Sequence, residues 1–249
     1  MDNTIMIGLS RQISLRRSMD VVANNIANAN TAGFKVESVL LESAPAPVAQ
    51  QVDGPSELQF VNMWGMGRDF SQGQLEYSGR PLDLAIDGDG FFATQMNGQE
   101  QYTRDGRFRL DSLGQLVTGN GSAVLSAGGR QPIILDPSAD ITIQDGGSVM
   151  QNGEEIARIG VFEIANMSQL SKSGDGQYVL DTSAPDAIEP QAMLNPAIQQ
   201  GYVEASNVQS IREMTHMMSV MRSYQSVAKF INQVEDLNKR SIERLGRVS

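Results

Sequence analysis

The sequence predicts an α+β chain in which N- and C-terminal helices form a coiled-coil-like stalk, with an all-β domain between them. Three observations predict it. Apolar residues recur at three- and four-residue steps near both ends of the chain. Eight Asp-Gly or Asn-Gly pairs punctuate residues 81–190, and such pairs suit tight hairpin turns. Charge follows the same division. Residues 1–35 carry four basic and two acidic side chains, residues 36–205 eight and twenty-three, and residues 206–249 seven and four.

The N-terminal helix is expected over residues 1–34. Its stripe runs Ile5, Gly8, Gln12, Leu15, Met19, Val22 and Ile26, and Thr31-Ala32-Gly33 closes it, glycine being suited to the left-handed position after a helix. The end of this helix is unusual. Four asparagines fall within residues 24–30, and asparagine is a poor helix former. Asn24 and Asn28 are four residues apart and share a face beside small alanines. Amides in a helix seam fix register at some cost in stability, and that role is expected for this pair.

Residues 35–80 read as an extended connector, because Ser43 to Gln74 is rich in Pro, Gly and Gln without a sustained period. Trp64, the only tryptophan, falls in it. Residues 81–190 read as the all-β domain, with strand candidates at Leu82–Ile86, Arg107–Leu110, Ile133–Leu135 and Ile159–Phe162. Residues 191–205 form a return linker. The C-terminal helix is expected over residues 206–249, opened by a capping box at Ser206-Asn207-Val208-Gln209. It carries one stripe through Met217, Val220, Tyr224, Val227, Ile231, Val234, Asn238, Ser241 and Leu245 and a second through Ile211, Met214, Met218, Met221 and Ala228. A helix of about 38 residues is about 57 Å long, more than a small domain needs. The stripes admit two uses: pairing of the two ends with each other or with neighbouring subunits, or packing on the sheet of a single α+β domain. Met214, Met217, Met218 and Met221 are either core filling or an adaptable contact face.

Composition removes whole classes of chemistry. The chain has no cysteine and one histidine, His216, so disulfides, thiol catalysis, zinc fingers and haem or iron–sulfur ligation are out. None of the nucleophile-elbow, P-loop, dinucleotide or zinc-protease motifs occurs, so no enzyme activity, catalytic residue, metal site or cofactor is expected. Asp87-Gly88-Asp89-Gly90 resembles the start of a calcium loop. That register then puts Phe91 and Gly98 where oxygen ligands belong, which leaves a tight turn. An acidic middle argues against nucleic acid as partner. The longest charge-free stretch, 112–129, is polar, so no membrane insertion is expected. The N-terminus lacks a basic segment followed by an apolar one, so no cleaved signal peptide is expected.

Three runs carry a resemblance. Ala23-Asn24-Asn25-Ile26-Ala27-Asn28, followed by Thr31, Gly33, Phe34 and Lys35, is similar to the N-terminal signature of the flagellar axial proteins of rod, hook and hook-associated type. Leu84–Phe92, with Gly90, Phe91 and Phe92, followed by Tyr102-Thr103-Arg104-Asp105-Gly106-Arg107-Phe108, resembles that family's β-domain motif. Gly201-Tyr202-Val203-Glu204-Ala205-Ser206-Asn207-Val208, with Glu213-Met214 and Arg222-Ser223-Tyr224-Gln225 after it, resembles its C-terminal helix motif. The matches come in the expected order and cover both ends and much of the middle. Short length and the opening Met1-Asp2-Asn3-Thr4-Ile5 resemble the proximal rod members most, with the distal rod members next.

The resemblance implies a structural subunit of the basal-body rod, a helical tube that transmits torque and is required for motility, with both terminal helices in an inner layer. It implies other rod subunits, proximal and distal, and copies of itself as partners, and the flagellar type III apparatus as its route to the periplasm. On that footing the residues expected at subunit interfaces are Asn24, Asn25, Ile26, Asn28, Thr31, Gly33, Phe34, Lys35, Gly90, Phe91, Phe92, Tyr102, Thr103, Arg104, Ser206, Asn207, Val208, Met214, Met218, Met221, Arg222 and Tyr224. A reading from another class is a periplasmic binding module on a helical stalk, for peptidoglycan or a cap protein, which an exposed aromatic cluster would favour.

Overall fold

A computed structural model describes residues 2–45, 59–181 and 188–246, which divide into two compact units. Unit 1 comprises Met1–Ala27, Val36–Asp69 and Val208–Ser249, and unit 2 comprises Asn28–Lys35 and Phe70–Asn207. Residues 46–58 of the expected connector, and the expected helix ends at residues 1 and 247–249, lie outside the described residues.

Unit 1 holds helix α1 (Asp2–Ala27), helix α2 (Ser210–Gly246) and an antiparallel hairpin of strands β1 (Glu37–Pro45) and β2 (Gln59–Arg68). The two predicted stripes are the seam between the helices. Gly8, Leu15 and Val22 are buried on α1, with Ile5, Gln12, Met19 and Ile26 half-buried between them. On α2 Val220 is buried, and Met217, Tyr224, Val227, Ile231, Val234 and Asn238 are half-buried. The helices run antiparallel: Gly8 stands against Ile231 and Asn25 against Glu213. These contacts are 17 residues apart on α1 and 18 on α2, so both helices advance about 26 Å between them. At Gly8 the approach is close. A Cβ there would meet Ile231 Cγ1 at 3.0 Å, so a larger side chain would hold the helices apart.

Two helix boundaries differ from expectation, and two stretches read as linkers supply strands. α1 stops at Ala27, not Gly33, because the asparagine-rich run leaves the helix in a turn closed by Thr31 N–H donating to Asn28 O. α2 begins at Ser210, with Gln209 C=O accepting from Glu213 N–H, so 206–209 does not open it. Asn207 instead donates its amide to Ser71 O and Oγ. The stretch read as a connector contains β1, β2 (which includes Trp64) and the strand Leu75–Tyr77. Its period was hidden because the β1–β2 register shifts between Leu40 and Leu41, which swaps the faces on which later residues lie. The return linker likewise supplies strands: Ile198–Gln200 pairs Leu84–Ile86, and Tyr202–Glu204 pairs Leu75–Tyr77.

Unit 2 is built around an antiparallel sheet in the order Leu170–Gly174, Gln177–Leu180, Gln99–Thr103, Phe91–Met96, Ala123–Val124, Leu116–Val117, Arg109–Leu110, with Val161–Glu163 also paired to Phe91–Met96. A separate three-stranded sheet comprises Ile141–Ile143, Ser148–Gln151 and Glu154–Arg158. Both faces of the central strand are buried. Phe91 and Ala93 pack with Tyr102, Phe162, Leu170 and Tyr178, whereas Phe92 packs with Phe108, Leu116, Val149 and Ile159. Adjacent residues split the same way at Val124/Leu125 and Val161/Phe162, as a two-residue period requires. Unit 2 therefore has two hydrophobic cores with the sheet as their common wall. Of the eight Gly-containing pairs, Asn97-Gly98, Asn152-Gly153 and Asp175-Gly176 have both residues at positive φ, the conformation of a two-residue I′ hairpin.

Candidate assembly interface

The amide of the asparagine run that enters the helix seam is Asn25. It lies three residues beyond Val22 on the buried stripe and is 1% exposed, while Asn24 is exposed and Asn28 half-buried. Asn25 Nδ2 donates to Glu37 O at 2.8 Å and to Glu213 Oε2 at 3.1 Å, and its Oδ1 accepts from Glu37 N at 3.0 Å. Arg68 Nε in turn donates to Glu37 Oε1 at 2.9 Å. One side chain thus ties the end of α1 to the first strand and to the first turn of α2. All of its bonds are directional, so a shift of α1 by one residue breaks them together.

Unit 2 contains a second polar centre, and the three resembling runs meet in it. Lys35 Nζ donates to Glu204 Oε1 at 2.6 Å, and Arg104 Nη1 donates to Glu204 Oε2 at 3.2 Å, with side-chain exposures of 0%, 3% and 1% for Lys35, Arg104 and Glu204. Lys35 also donates to Ser71 O at 2.7 Å, Arg104 Nη2 to Gly88 O at 2.8 Å, and Gly73 N–H to Glu204 Oε1 at 2.9 Å. One carboxylate therefore faces two buried cations. Burial holds the Arg104 guanidinium below its ordinary value, and the charge of Glu204 opposes that shift. The loop that resembled a calcium site is occupied by this arginine through the Gly88 carbonyl. Among the described residues no group of three His, Asp or Glu could hold a metal ion.

Gly33 shows why the turn before Lys35 needs glycine. Its φ is +67°, and a Cβ there would lie 2.4 Å from Asp105 N. Its N–H donates to Glu204 O at 2.8 Å, Phe34 beside it is buried with Lys172 Nζ 4.8 Å from the ring centre, and Thr31 Oγ1 donates to Asn28 Oδ1.

The expected interface residues therefore fall into different places. Gly90, Phe91, Phe92, Tyr102, Thr103 and Arg104 are buried inside unit 2, and Gly33, Phe34 and Lys35 are buried with them. They cannot face a neighbour, since their surfaces are already spent on their own unit. Ile26, Val208 and Tyr224 are buried or half-buried in unit 1, and Ser206 and Asn207 are half-buried in unit 2. Met214, Met218, Met221 and Arg222 are exposed, as is His216. Ile211, at 83% exposure, continues the methionine stripe. On α1, Met6, Leu9 and Ile13 are also exposed. Sequence reading nominated none of Glu37, Arg68, Glu204 and Glu213 as site residues. A signal for Glu204 existed: it is the one acidic residue in Gly201–Val208, within an otherwise uncharged strand-like run.

Among the described residues no helix is long and apolar enough to cross a membrane. Residues 5–35 match the family described as flagella basal body rod protein, residues 85–151 the flagellar hook protein FlgE/F/G D1 domain, and residues 199–244 the flagellar basal body rod FlgEFG protein C-terminal. The chain is 44% identical to the flagellar basal-body rod protein FlgF of Caulobacter vibrioides, with 100% of both chains covered. It is 33% identical to FlgF of Rhizobium meliloti over 99% of each chain. The flagellar basal-body rod protein FlgG of Bacillus subtilis is 32% identical, over 92% of this chain and 94% of that one.

Proposed function

The chain belongs to the flagellar basal-body rod protein family, as a FlgF-like structural protein and not an enzyme, and from this we propose that it is a subunit of the proximal rod. The finer placement is supported by the end-to-end match to relatives named FlgF, against 92% coverage for the FlgG of Bacillus subtilis, and the distal rod is the alternative. Its partners are other rod subunits and copies of itself. Its site is the periplasmic part of the basal body, reached through the flagellar type III export apparatus.

The observation that carries the assembly reading is the division of α2. One apolar stripe is consumed by the seam with α1, and the other, Ile211, Met214, Met218 and Met221, is exposed. Exposed apolar rows of this length mark interaction surfaces, and thioethers repack against unlike partners without much strain. The test is the pair Met214→Glu and Met218→Glu in the full-length chain. Unchanged circular dichroism and melting, with loss of motility and of incorporation into the basal body, support the reading. Normal motility would refute it. For the proximal placement, concentrated full-length protein should stay small by light scattering. Long regular tubes from this chain alone would move it to the distal rod.

One observation favours the binding-module reading. Tyr77, 74% exposed, stands edge-to-face with Tyr202 at 5.2 Å, an aromatic surface of the kind that stacks on sugar rings. The neighbouring amides are engaged internally, Gln199 with Asp87 and Gln200 with Pro81 and Ile141, which makes this the second reading. Sedimentation with purified peptidoglycan sacculi, lost in Tyr77→Ala, would bring it forward.

A further inference from the structure

We propose that unit 2 carries a peptide-binding site whose ligand is a Gly-Phe-Lys segment, filled in this chain by its own residues 28–35 and refillable by the same peptide in trans. The inference concerns a site within unit 2 and does not rest on the rod reading.

Residues 28–35 belong to unit 2 but are separated in sequence from its remainder, Phe70–Asn207, by 34 residues. Neither hydrophobic core of unit 2 includes any of them: one core is built from residues between Leu84 and Ile198, and the other from residues between Phe91 and Leu180. The segment is held instead as a ligand is held. Its lysine is fully buried and reaches a carboxylate at 2.6 Å and a carbonyl at 2.7 Å. Its backbone makes bonds at two successive residues of the motif, Gly33 N–H to Glu204 O at 2.8 Å and Phe34 O from Asn207 N–H at 3.4 Å. Its glycine fits where the Arg104–Asp105 backbone leaves no room for a Cβ, and its phenyl ring lies beneath Lys172. Backbone bonds, a shape test at glycine and a buried charge test at lysine are the components of sequence-specific peptide recognition.

The site keeps its own polarity when the segment is taken away. Arg104 remains on Glu204 and on Gly88 O, so the carboxylate still has one cation, while Arg104 Nε is buried without a hydrogen-bond partner. Neither core includes the segment, so its departure vacates a socket that buries Phe34 as well as Lys35 and leaves the sheet intact. Covalent attachment makes the internal peptide win through effective concentration. Exchange with free peptide therefore becomes visible only once the internal copy is prevented from fitting.

Gly33→Val in the full-length chain does this, because the added side chain meets backbone at a positive φ. The probe is a fluorescein-labelled peptide of residues 28–36, followed by anisotropy. The Gly33→Val chain should keep the β-sheet circular dichroism of the wild type and bind the peptide saturably. A Lys35→Ala version of the peptide should bind at least tenfold more weakly, and wild-type chain should bind the probe at least tenfold more weakly than Gly33→Val does. In a second measurement, Glu204→Gln in the otherwise wild-type chain should expose the Lys35–Val36 bond to trypsin before the unit 2 arginines are cut. Loss of the β-sheet signal in Gly33→Val would overturn the proposal, since the segment would then be part of the fold and not a ligand. So would a folded Gly33→Val chain that fails to bind, equal binding of the two peptides, or no early cut after Lys35.

Discussion

Asn25 and Glu213, 188 residues apart in the chain, are joined by a 3.1 Å hydrogen bond from the amide to the carboxylate. The bond fixes the end of α1 against the start of α2, and Asn25 also closes both backbone bonds to Glu37. Asn25→Leu should therefore leave a buried N–H and a buried carboxylate without their donor or acceptor, at about 2–3 kcal/mol. Asn24→Leu, at an exposed position, should change stability by about 0.5 kcal/mol or less. Urea denaturation of the two variants checks the difference. Equal midpoints would show that the seam does not read Asn25.

Gly8 and Ile231 set the spacing at the other end of the same seam. Gly8→Ala gains helix propensity of about 1 kcal/mol and meets a neighbour at 3.0 Å, so it should be close to neutral. Gly8→Leu overpacks the seam and should cost about 1–3 kcal/mol. Adding Ile231→Ala to Gly8→Leu should return part of that loss. A double-mutant cycle on thermal or urea unfolding measures the coupling, which should favour the pair by more than about 0.5 kcal/mol.

The carboxylate of Glu204, shared by two buried cations, makes a severe substitution predictable. Glu204→Gln takes from Lys35 and Arg104 the carboxylate they share, and breaking a buried pair in this way costs about 3–5 kcal/mol. Lys35→Met combined with Glu204→Gln should be less damaging than the sum of the two changes, because the Lys35–Glu204 pair is then lost only once. The measurement is again the urea midpoint, with additivity as the refuting result.

Tyr102 supplies a pH signature. Burial first, then its 2.8 Å hydrogen bond to Glu100, holds its phenol well above the ordinary tyrosine value. The folded state thus favours the neutral phenol, and the unfolded chain ionises first as pH rises. The corresponding stability is fully present below pH 10.0, the unperturbed value, and is lost as pH climbs beyond it. Tyr102→Phe should flatten that alkaline decline in the urea midpoint while lowering stability near neutrality by about 1 kcal/mol through loss of the hydrogen bond.

Parts of the architecture were legible because their period survives in the sequence. The seam residues from Ile5 to Ile26 and from Met217 to Asn238 follow the spacing of a buried helix face, and burial follows them. The same phase contained the answer for the asparagine run. Asn25 is three residues beyond Val22 on the buried face, whereas Asn24 is exposed and Asn28 lies past the end of α1 at Ala27. The β1–β2 hairpin was hidden by its shift at Leu40/Leu41, which destroys the alternation a reader counts. The Glu204 centre was hidden for another reason: its partners are 169 and 100 residues away, and no local pattern reports a contact closed by topology.

The bonds around Glu204 also settle how unit 2 bears load. Its chain is continuous with unit 1 at four points, after residues 27, 35, 69 and 207. Close to these, Lys35 is tied to Glu204 and Ser71, and Asn207 to Ser71 and Phe34. Tension arriving along any of the last three crossings is shared among these polar bonds before it can reach a strand of the sheet. A sheet loaded strand by strand peels open one hydrogen bond at a time; here the covalent leads are clamped to one another at the entrance. Under pulling, unit 2 should behave as a stiff block with a single yield point at the clamp, and Glu204 is the bolt.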